Sequence, residues 1–243
     1  MGDPHFRRFN HTKRSSFHGE CDLILIHSAE ATLDVHVRTT IVDSFSYIDG
    51  VGIRFGDVVL EIHDGIVIID GKDVVESALP LTLFGGTIRK VPTKGRKQLH
   101  EIRLTNGLLI VVKATRHFMS VTFNGDISVL AHSTGLLGEY RTGDMIGRDG
   151  NVMDDFNEFA LEWQFRGGEI DGMSLFRTPR APQWPEKCRM PTTSQKKQRR
   201  LRAQDTQLYT AASEACAKLH PDDVDTCVDD VLLTGDIEMA DSW

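Results

Sequence analysis

The sequence predicts a mostly β protein: an antiparallel β-sandwich of about ten short strands, followed by a C-terminal α-helical hairpin. Three observations favour the sandwich. Apolar and polar residues alternate, most clearly in residues 33–41, which is the period of a strand with one face toward solvent. Asp-Gly and Asn-Gly pairs recur at short intervals, and they supply the positive φ that tight hairpin turns require. No helical pattern interrupts residues 17–130, so the strands are expected to pair in antiparallel fashion.

Two Asn-Gly pairs predict particular hairpins. Around Asn106-Gly107, residues 101–104 are expected to pair with residues 108–113. Around Asn124-Gly125, residues 118–123 are expected to pair with residues 127–131. The sandwich would then occupy residues 1–166.

The composition limits the classes of partner and the location. A chain of 243 residues with 40% hydrophobic content can bury a full-sized core. Its net charge of -7 argues against nucleic acid as a partner, because the phosphate backbone requires a basic surface. No stretch approaches the roughly 20 apolar residues that span a bilayer, and the first ten residues carry no apolar signal-peptide segment.

The C-terminal third is expected to divide into three segments. Residues 167–194 are rich in proline and predict an extended strap that returns to the sandwich. Residues 195–205 are basic and predict a solvated linker. Residues 206–243 predict a small acidic helical hairpin, with helices over 206–219 and 222–233 that bring Cys216 and Cys227 face to face.

Residues 135–164 crowd carboxylates onto a glycine-rich loop. Such carboxylates repel one another unless a cation or backbone N–H groups offset the repulsion, and calcium suits oxygen ligands best. A solvated acidic loop is the alternative interpretation. The carboxylates are Glu139, Asp144, Asp149, Asp154, Asp155, Glu158 and Glu162.

Four motifs in order resemble the von Willebrand factor type D domain. They are GDPH at residues 2–5, a G-x-C at residues 19–21, GLLG at residues 135–138, and the acidic run DDFNEFALEW at residues 154–163. The resemblance covers about residues 2–188.

The resemblance implies a calcium site in which Asn10 lies beside the loop that starts at Glu139. Arg141 stands where the family commonly has an oxygen ligand, and an arginine cannot ligate a cation. Either further carboxylates complete the shell, or the arginine replaces the ion with a salt bridge. The predicted metal ligands are Asn10, Glu139, Asp144, Asp149, Asp154 and Asp155.

The resemblance also implies a disulfide between Cys21 and Cys188, which leaves Cys216 and Cys227 as a local pair. Two bridges indicate an oxidising compartment, hence a secreted or cell-surface protein. In some relatives the Asp-Pro bond of GDPH breaks spontaneously, so cleavage between Asp3 and Pro4 is a further hypothesis. Asn10 also opens an N-glycosylation tripeptide, although the ligand role is ranked above the glycan.

These features predict an extracellular interaction module that serves adhesion, matrix building or assembly and is not an enzyme. Its expected partners are other extracellular proteins or matrix glycans, and the sequence indicates no oligomeric state. A carrier of apolar ligands is one alternative, and a secreted enzyme acting on an extracellular polymer is another. The histidines show no metal-ligand spacing, and no nucleophile or phosphate-loop motif is present.

Overall fold

The computed structural model describes residues 4–42, 45–63, 65–93, 97–115, 118–180, 188–192 and 206–242. Within these residues, thirteen strands form three antiparallel sheets, and helices follow at the C-terminal end. The predicted fold class is therefore confirmed, with three more strands than the ten expected. Asp3 and the predicted basic linker, residues 195–205, lie outside the described residues.

The larger sheet is a meander in which each strand pairs with the next along the chain. Its six strands are β3 (Asp22–Ser28), β4 (Leu33–Val42), β5 (Phe45–Phe55), β6 (Val58–His63), β7 (Ile66–Ile69) and β8 (Lys72–Val74). The order of the strands in space therefore repeats their order in sequence.

The second sheet is a meander of five strands, with β13 at one edge and β9 at the other. Its strands are β9 (Leu81–Leu83), β10 (Gly86–Val91), β11 (Lys97–Leu104), β12 (Leu108–Thr115) and β13 (Phe118–Gly125). A third, minimal sheet pairs β1 (His5–Phe6) with β2 (Ser15–Ser16) in the N-terminal segment, residues 4–16.

Branched aliphatic side chains of both large sheets fill one buried cluster. Ile53 and Ile62 of the six-stranded sheet and Ile102 and Ile110 of the five-stranded sheet are completely buried within it. Burial of each such side chain stabilises the fold by about 1.5–3 kcal/mol. This cluster is the physical basis of the sandwich.

The polar face of β4 was predicted to face solvent, and this is wrong. Asp34, His36 and Arg38 are at most 9% exposed, because the chain after the acidic loop covers that face. The Phe165 ring lies 5.2 Å from the His36 ring, and the Phe176 ring lies 4.2 Å beneath the Arg38 guanidinium. Alternation shows which face of a strand is polar, but it does not show whether that face meets solvent. In β4, residues that come later in the chain cover the polar face.

Of the two predicted hairpins, one is confirmed. β11 pairs with β12, with Glu101 opposite Val111 and Ile102 opposite Ile110. The second is wrong, because residues Ile127–Leu130 form a 3₁₀ helix rather than a strand. The Asp126 carboxylate accepts from the Ser128 N–H at 3.1 Å. This hydrogen bond caps the 3₁₀ helix, so the chain does not continue as a strand.

Two short helices follow the second sheet in sequence, α1 (Phe156–Glu162) and α2 (Gly168–Asp171). The C-terminal helices match the prediction to within a few residues. Helix α3 spans Thr206–Cys216, helix α4 spans Pro221–Thr234, and a 3₁₀ helix follows at Ile237–Ser242. We call these three elements the helical hairpin. Pro221 occupies the first turn of α4, and Gly235 ends it in the left-handed conformation with φ of 67°.

Both predicted disulfides are present. Cys21 and Cys188 have their Cα atoms 5.1 Å apart and join positions 167 residues apart in sequence. Beside this bridge, Glu20 and Arg189 exchange backbone hydrogen bonds of 2.8 and 3.2 Å. Cys216 and Cys227 join α3 to α4 across a separation of 11 residues.

Candidate functional site

The N-terminal segment packs directly against the acidic loop. The Phe9 N–H donates to the Leu137 carbonyl at 3.0 Å, and the Phe9 ring meets the Tyr140 ring edge-on at 5.2 Å. A Cβ at Gly143 would lie 2.0 Å from the Phe9 carbonyl oxygen, so this approach requires glycine. The two stretches that the resemblance places together are neighbours in the fold.

Two side chains of the N-terminal segment bind carbonyls of this loop. The Asn10 amide Nδ2 donates to the Arg141 carbonyl, and the Arg8 guanidinium donates to the Gly143 carbonyl. Burial lowers the pKa of Arg8, while the nearby Asp144 carboxylate acts in the opposite direction. Arg8 is therefore hydrogen-bonded to the loop and lies close enough to Asp144 to be attracted by its charge.

The carboxylates of residues 139–144 are held by the loop itself. Glu139 Oε2 accepts from the backbone N–H groups of Arg141 and Thr142, both at 2.7 Å. These bonds, above all the one from Thr142, lower the pKa of Glu139. Asp144 accepts from the Thr142 hydroxyl at 2.7 Å. This part of the loop is a hydrogen-bonded turn.

The other predicted ligands belong to separate local structures. Asp149 accepts from the Asn151 N–H at 3.0 Å, which lowers the pKa of Asp149, and from the Asn151 side chain at 2.6 Å. Asp155 caps helix α1 (Phe156–Glu162), accepting from two backbone N–H groups at 2.8 and 2.9 Å. Asp154 is exposed to solvent. The aromatic end of the acidic loop is therefore a capped helix.

The predicted ligands thus divide into two groups. Asn10, Glu139 and Asp144 meet around one turn, whereas Asp149, Asp154 and Asp155 follow it in their own turns. Among the described residues, no three His, Cys, Asp or Glu side chains converge as metal ligands do.

In this arrangement the donor set does not fit calcium. The Arg141 and Gly143 carbonyls, which could ligate a cation, already accept from Asn10 and Arg8. A cation there would also lie beside the positive charge of Arg8, which costs energy. Calcium binding would require Arg8 and Asn10 to move away, and it stays a prediction.

A salt bridge of Arg141 in place of the ion stays a prediction, whereas Arg8 contacts the loop directly. The Arg141 guanidinium contributes to lowering the pKa of Glu139 through its charge, but Arg8 donates to the loop backbone. The sequence could have indicated this contact, because Arg8 lies two residues before Asn10, on the same short segment.

The Asn10 side chain also bears on glycosylation. Its Nδ2 atom, the glycan attachment atom, donates to the Arg141 carbonyl, and its backbone has a φ of 55°. A glycan would compete with this contact, so the glycan stays an untested prediction. Cleavage between Asp3 and Pro4 is equally untested, because Asp3 lies outside the described residues.

The N-terminal segment also holds the helical hairpin, through contacts that the sequence did not predict. His5 Nε2 lies 2.9 Å from Asp230 Oδ1, in a pair almost completely removed from solvent. Arg14 Nε lies 3.0 Å from Asp223 Oδ1. A chain-order argument does not find such pairs, because their partners are more than 200 residues apart in sequence.

Among the described residues, no helix has the length and apolar character needed to cross a membrane. Neither a protein-family model nor a curated protein matches the chain. The resemblance to the von Willebrand factor type D domain therefore rests on its motifs alone.

Proposed function

We propose that this protein is an extracellular interaction module, serving adhesion, matrix building or assembly through its acidic loop. Disulfides between all four cysteines support the extracellular location, since such bonds persist in oxidising compartments. The observation that carries the proposal is that the acidic loop is fixed at two places: Arg8, Phe9 and Asn10 hold its first part, and the Asp155 cap holds the start of helix α1. A surface held rigid before it meets a partner loses less conformational entropy on binding.

Among the exposed carboxylates of this loop, we assign partner binding to those of its second half. Asp154 and Glu158 are both exposed, and they flank Asp155, which holds the first turn of α1. Their charges are presented from a helix start rather than from a flexible tail. The expected partners are extracellular proteins or matrix glycans with a basic surface.

The test is binding of the purified, disulfide-bonded protein to a panel of immobilised matrix proteins and glycans. The variant Asp154→Asn/Glu158→Gln should weaken binding about three- to tenfold, with a loss of salt dependence. Asp57→Asn/Glu169→Gln removes the same charge from other exposed positions and should leave binding unchanged. Absence of binding to every component, or equal weakening by the two variants, would refute the proposal.

We propose calcium as the ion that would stabilise the loop if Arg8 and Asn10 give way to it. Calcium at about a hundredfold excess over its Kd would then stabilise the protein by about 2.7 kcal/mol relative to chelator. Arg8→Gln should increase calcium affinity, because it removes the competing positive charge. If saturating calcium leaves the melting temperature of both the unmodified protein and the Arg8→Gln variant unchanged, the calcium proposal is refuted.

A further inference from the structure

A cleft of about 390 Å³ lies between the N-terminal segment and strand β13. Residues 5–11 form one wall and residues 121–124 of β13 form the other. The floor comes from separate elements: Leu25 of β3, Ile48 of β5, and Leu137 of the acidic loop. The cleft therefore opens where the two large sheets part, and its size is typical of a ligand site.

The β13 wall is a strand edge. β13 is the last strand of its sheet and pairs only with β12 in the part of the chain that the structure describes. Successive side chains of a strand point to opposite faces. Four consecutive residues, 121–124, can therefore line one cleft only if it runs along the edge of the strand. Backbone N–H and C=O groups project at such an edge and are available for pairing.

The floor of the cleft is apolar. Phe6, Leu25 and Ile48 are each no more than 5% exposed, and Leu137 is 8% exposed. Val121 and Phe123 add half-buried apolar surface on the β13 side. An apolar side chain inserted here would leave water and stabilise a complex by about 1.5–3 kcal/mol.

The rim of the cleft is basic, although the protein as a whole carries a net charge of -7. Among the described residues, three arginines and two histidines line the cleft, and no Asp or Glu does. Arg8, Arg14 and His5 have partners elsewhere in the fold. Arg7 is exposed and has no carboxylate partner among the described residues, so its charge is available to an anionic ligand.

We propose that this cleft binds an acidic, extended peptide segment of a partner protein, which adds as a strand to the edge of β13. Alternate side chains of the peptide would enter the apolar floor, and its carboxylates would face Arg7 and His11. An acyl chain would leave the hydrogen-bonding groups of the β13 edge unused, whereas a peptide backbone satisfies them. The proposal goes beyond the function proposed for the acidic loop: it names a second partner chemistry, at a surface separate from Asp154 and Glu158.

The test uses a synthetic peptide of alternating glutamate and valine, blocked at both ends, with binding followed by calorimetry. Two derivatives carry backbone N-methyl groups, one on every valine and the other on every glutamate. Because only alternate N–H groups of an added strand face the edge, one derivative should bind at least about tenfold more weakly and the other within about threefold. A peptide with lysine in place of glutamate should not bind.

Variants locate the site. Ile127 is an exposed residue of the cleft lining. Ile127→Glu places a negative charge there and should weaken binding about tenfold, and Arg7→Gln should weaken it about threefold. Ile170→Glu and Arg103→Gln make the same changes at exposed positions away from the cleft and should have no effect.

Equal affinity of the two N-methylated peptides, or binding of dodecanoate without binding of peptide, would overturn the proposal. So would equal effects of the rim variants and their controls. Asp154→Asn/Glu158→Gln should leave peptide affinity within about twofold, because both residues lie outside the cleft lining. Loss of matrix binding with intact peptide binding, or the reverse, therefore shows which of the two proposals has failed.

Discussion

The sandwich and the helical hairpin are stabilised in different ways. The sandwich buries branched aliphatic side chains from two sheets, and its disulfide joins residues 167 positions apart. Seven described residues of the hairpin form its buried cluster, and two of them are the bridged Cys216 and Cys227. Units below about 40 residues rarely bury enough apolar surface to fold alone. We infer that the hairpin needs its disulfide and its contact with the sandwich, whereas the sandwich has a core of its own.

That contact combines apolar packing with charge. Phe118 at the start of β13 packs on the hairpin cluster, while His5 and Arg14 reach Asp230 and Asp223 of α4. The N-terminal segment therefore contacts both the acidic loop and the hairpin. Substitutions in this segment should therefore affect the stability of both the acidic loop and the hairpin.

The largest expected effect comes from removing the disulfides one at a time. In the chain-entropy model, a bridge closing 167 residues stabilises by about 5 kcal/mol and one closing 11 residues by about 3 kcal/mol. Cys21→Ala/Cys188→Ala should therefore lower the unfolding free energy of the whole sandwich, measured by urea denaturation. Cys216→Ala/Cys227→Ala should mainly expose the hairpin amides to hydrogen exchange. Unchanged hairpin protection in the latter variant would contradict the comparison.

Acid should weaken the sandwich more than the hairpin. Burial lowers the pKa of His36 in one sheet and of His100 in the other to about 4 in each case. In the unfolded chain each histidine has a pKa near 6.5, so the unfolded state binds a proton before the folded state does. The unfolding free energy is therefore highest well above pH 6.5 and falls as the pH decreases toward 4. Between pH 6.5 and pH 5 the unfolding free energy should fall by about 1.6 kcal/mol for each histidine, as measured by denaturation at both pH values.

A variant separates this effect from general acid denaturation. His100→Leu removes one titrating group from a fully buried position and should reduce the loss between pH 6.5 and pH 5 by about half. His27 has the opposite effect on the unfolding free energy. Its hydrogen bond with Asp34 raises the pKa of His27, so the stability that this histidine contributes is present at low pH and is lost as the pH rises. An unchanged pH slope in His100→Leu would show that buried histidines are not the cause.

Loss of the buried pair should release the hairpin while the sandwich stays folded. Asp230→Ala leaves His5 without its carboxylate partner and should destabilise the docked hairpin by about 2–3 kcal/mol. Hydrogen exchange would report faster exchange in α3 and α4, with strands β3 to β6 still protected. Asp222→Ala, at an exposed position of the same helix, should change little. Uniform loss of protection would mean that the two regions unfold as one unit.

The smallest expected effect concerns the acidic loop. Arg8→Gln removes the guanidinium that donates to the Gly143 carbonyl, and it should cost about 1 kcal/mol and speed exchange in residues 139–144. Arg7→Gln removes the neighbouring exposed charge and should leave both quantities unchanged. Equal behaviour of the two variants would argue against Arg8 as the residue that holds the loop.

Local signals predicted much of the fold. Asn106-Gly107 predicted the β11–β12 hairpin because its turn chemistry and its flanking strands agree. Asn124-Gly125 failed because Asp126 caps a 3₁₀ helix directly after it, a competing local interaction that hairpin turn chemistry does not report. The disulfide between Cys21 and Cys188 was implied by the family resemblance, not by spacing.

The site was predicted only in part. The motifs placed Asn10 near the loop that starts at Glu139, and the structure brings them together. They did not indicate Arg8, or the pairing of His5 with Asp230, because such contacts depend on how distant segments meet.

By itself, the sequence determined the strand periodicity, the main turns and the C-terminal helices, because these follow from interactions between near neighbours in the chain. Only the tertiary structure decided that the polar face of β4 is buried, that Arg8 and Asn10 take the carbonyls a cation would need, and that a basic cleft forms beside β13 in an acidic protein. Each of these depends on which segment covers which. A polar side chain needs either water or a hydrogen-bonding partner, and the packing of distant segments determines which of the two surrounds it.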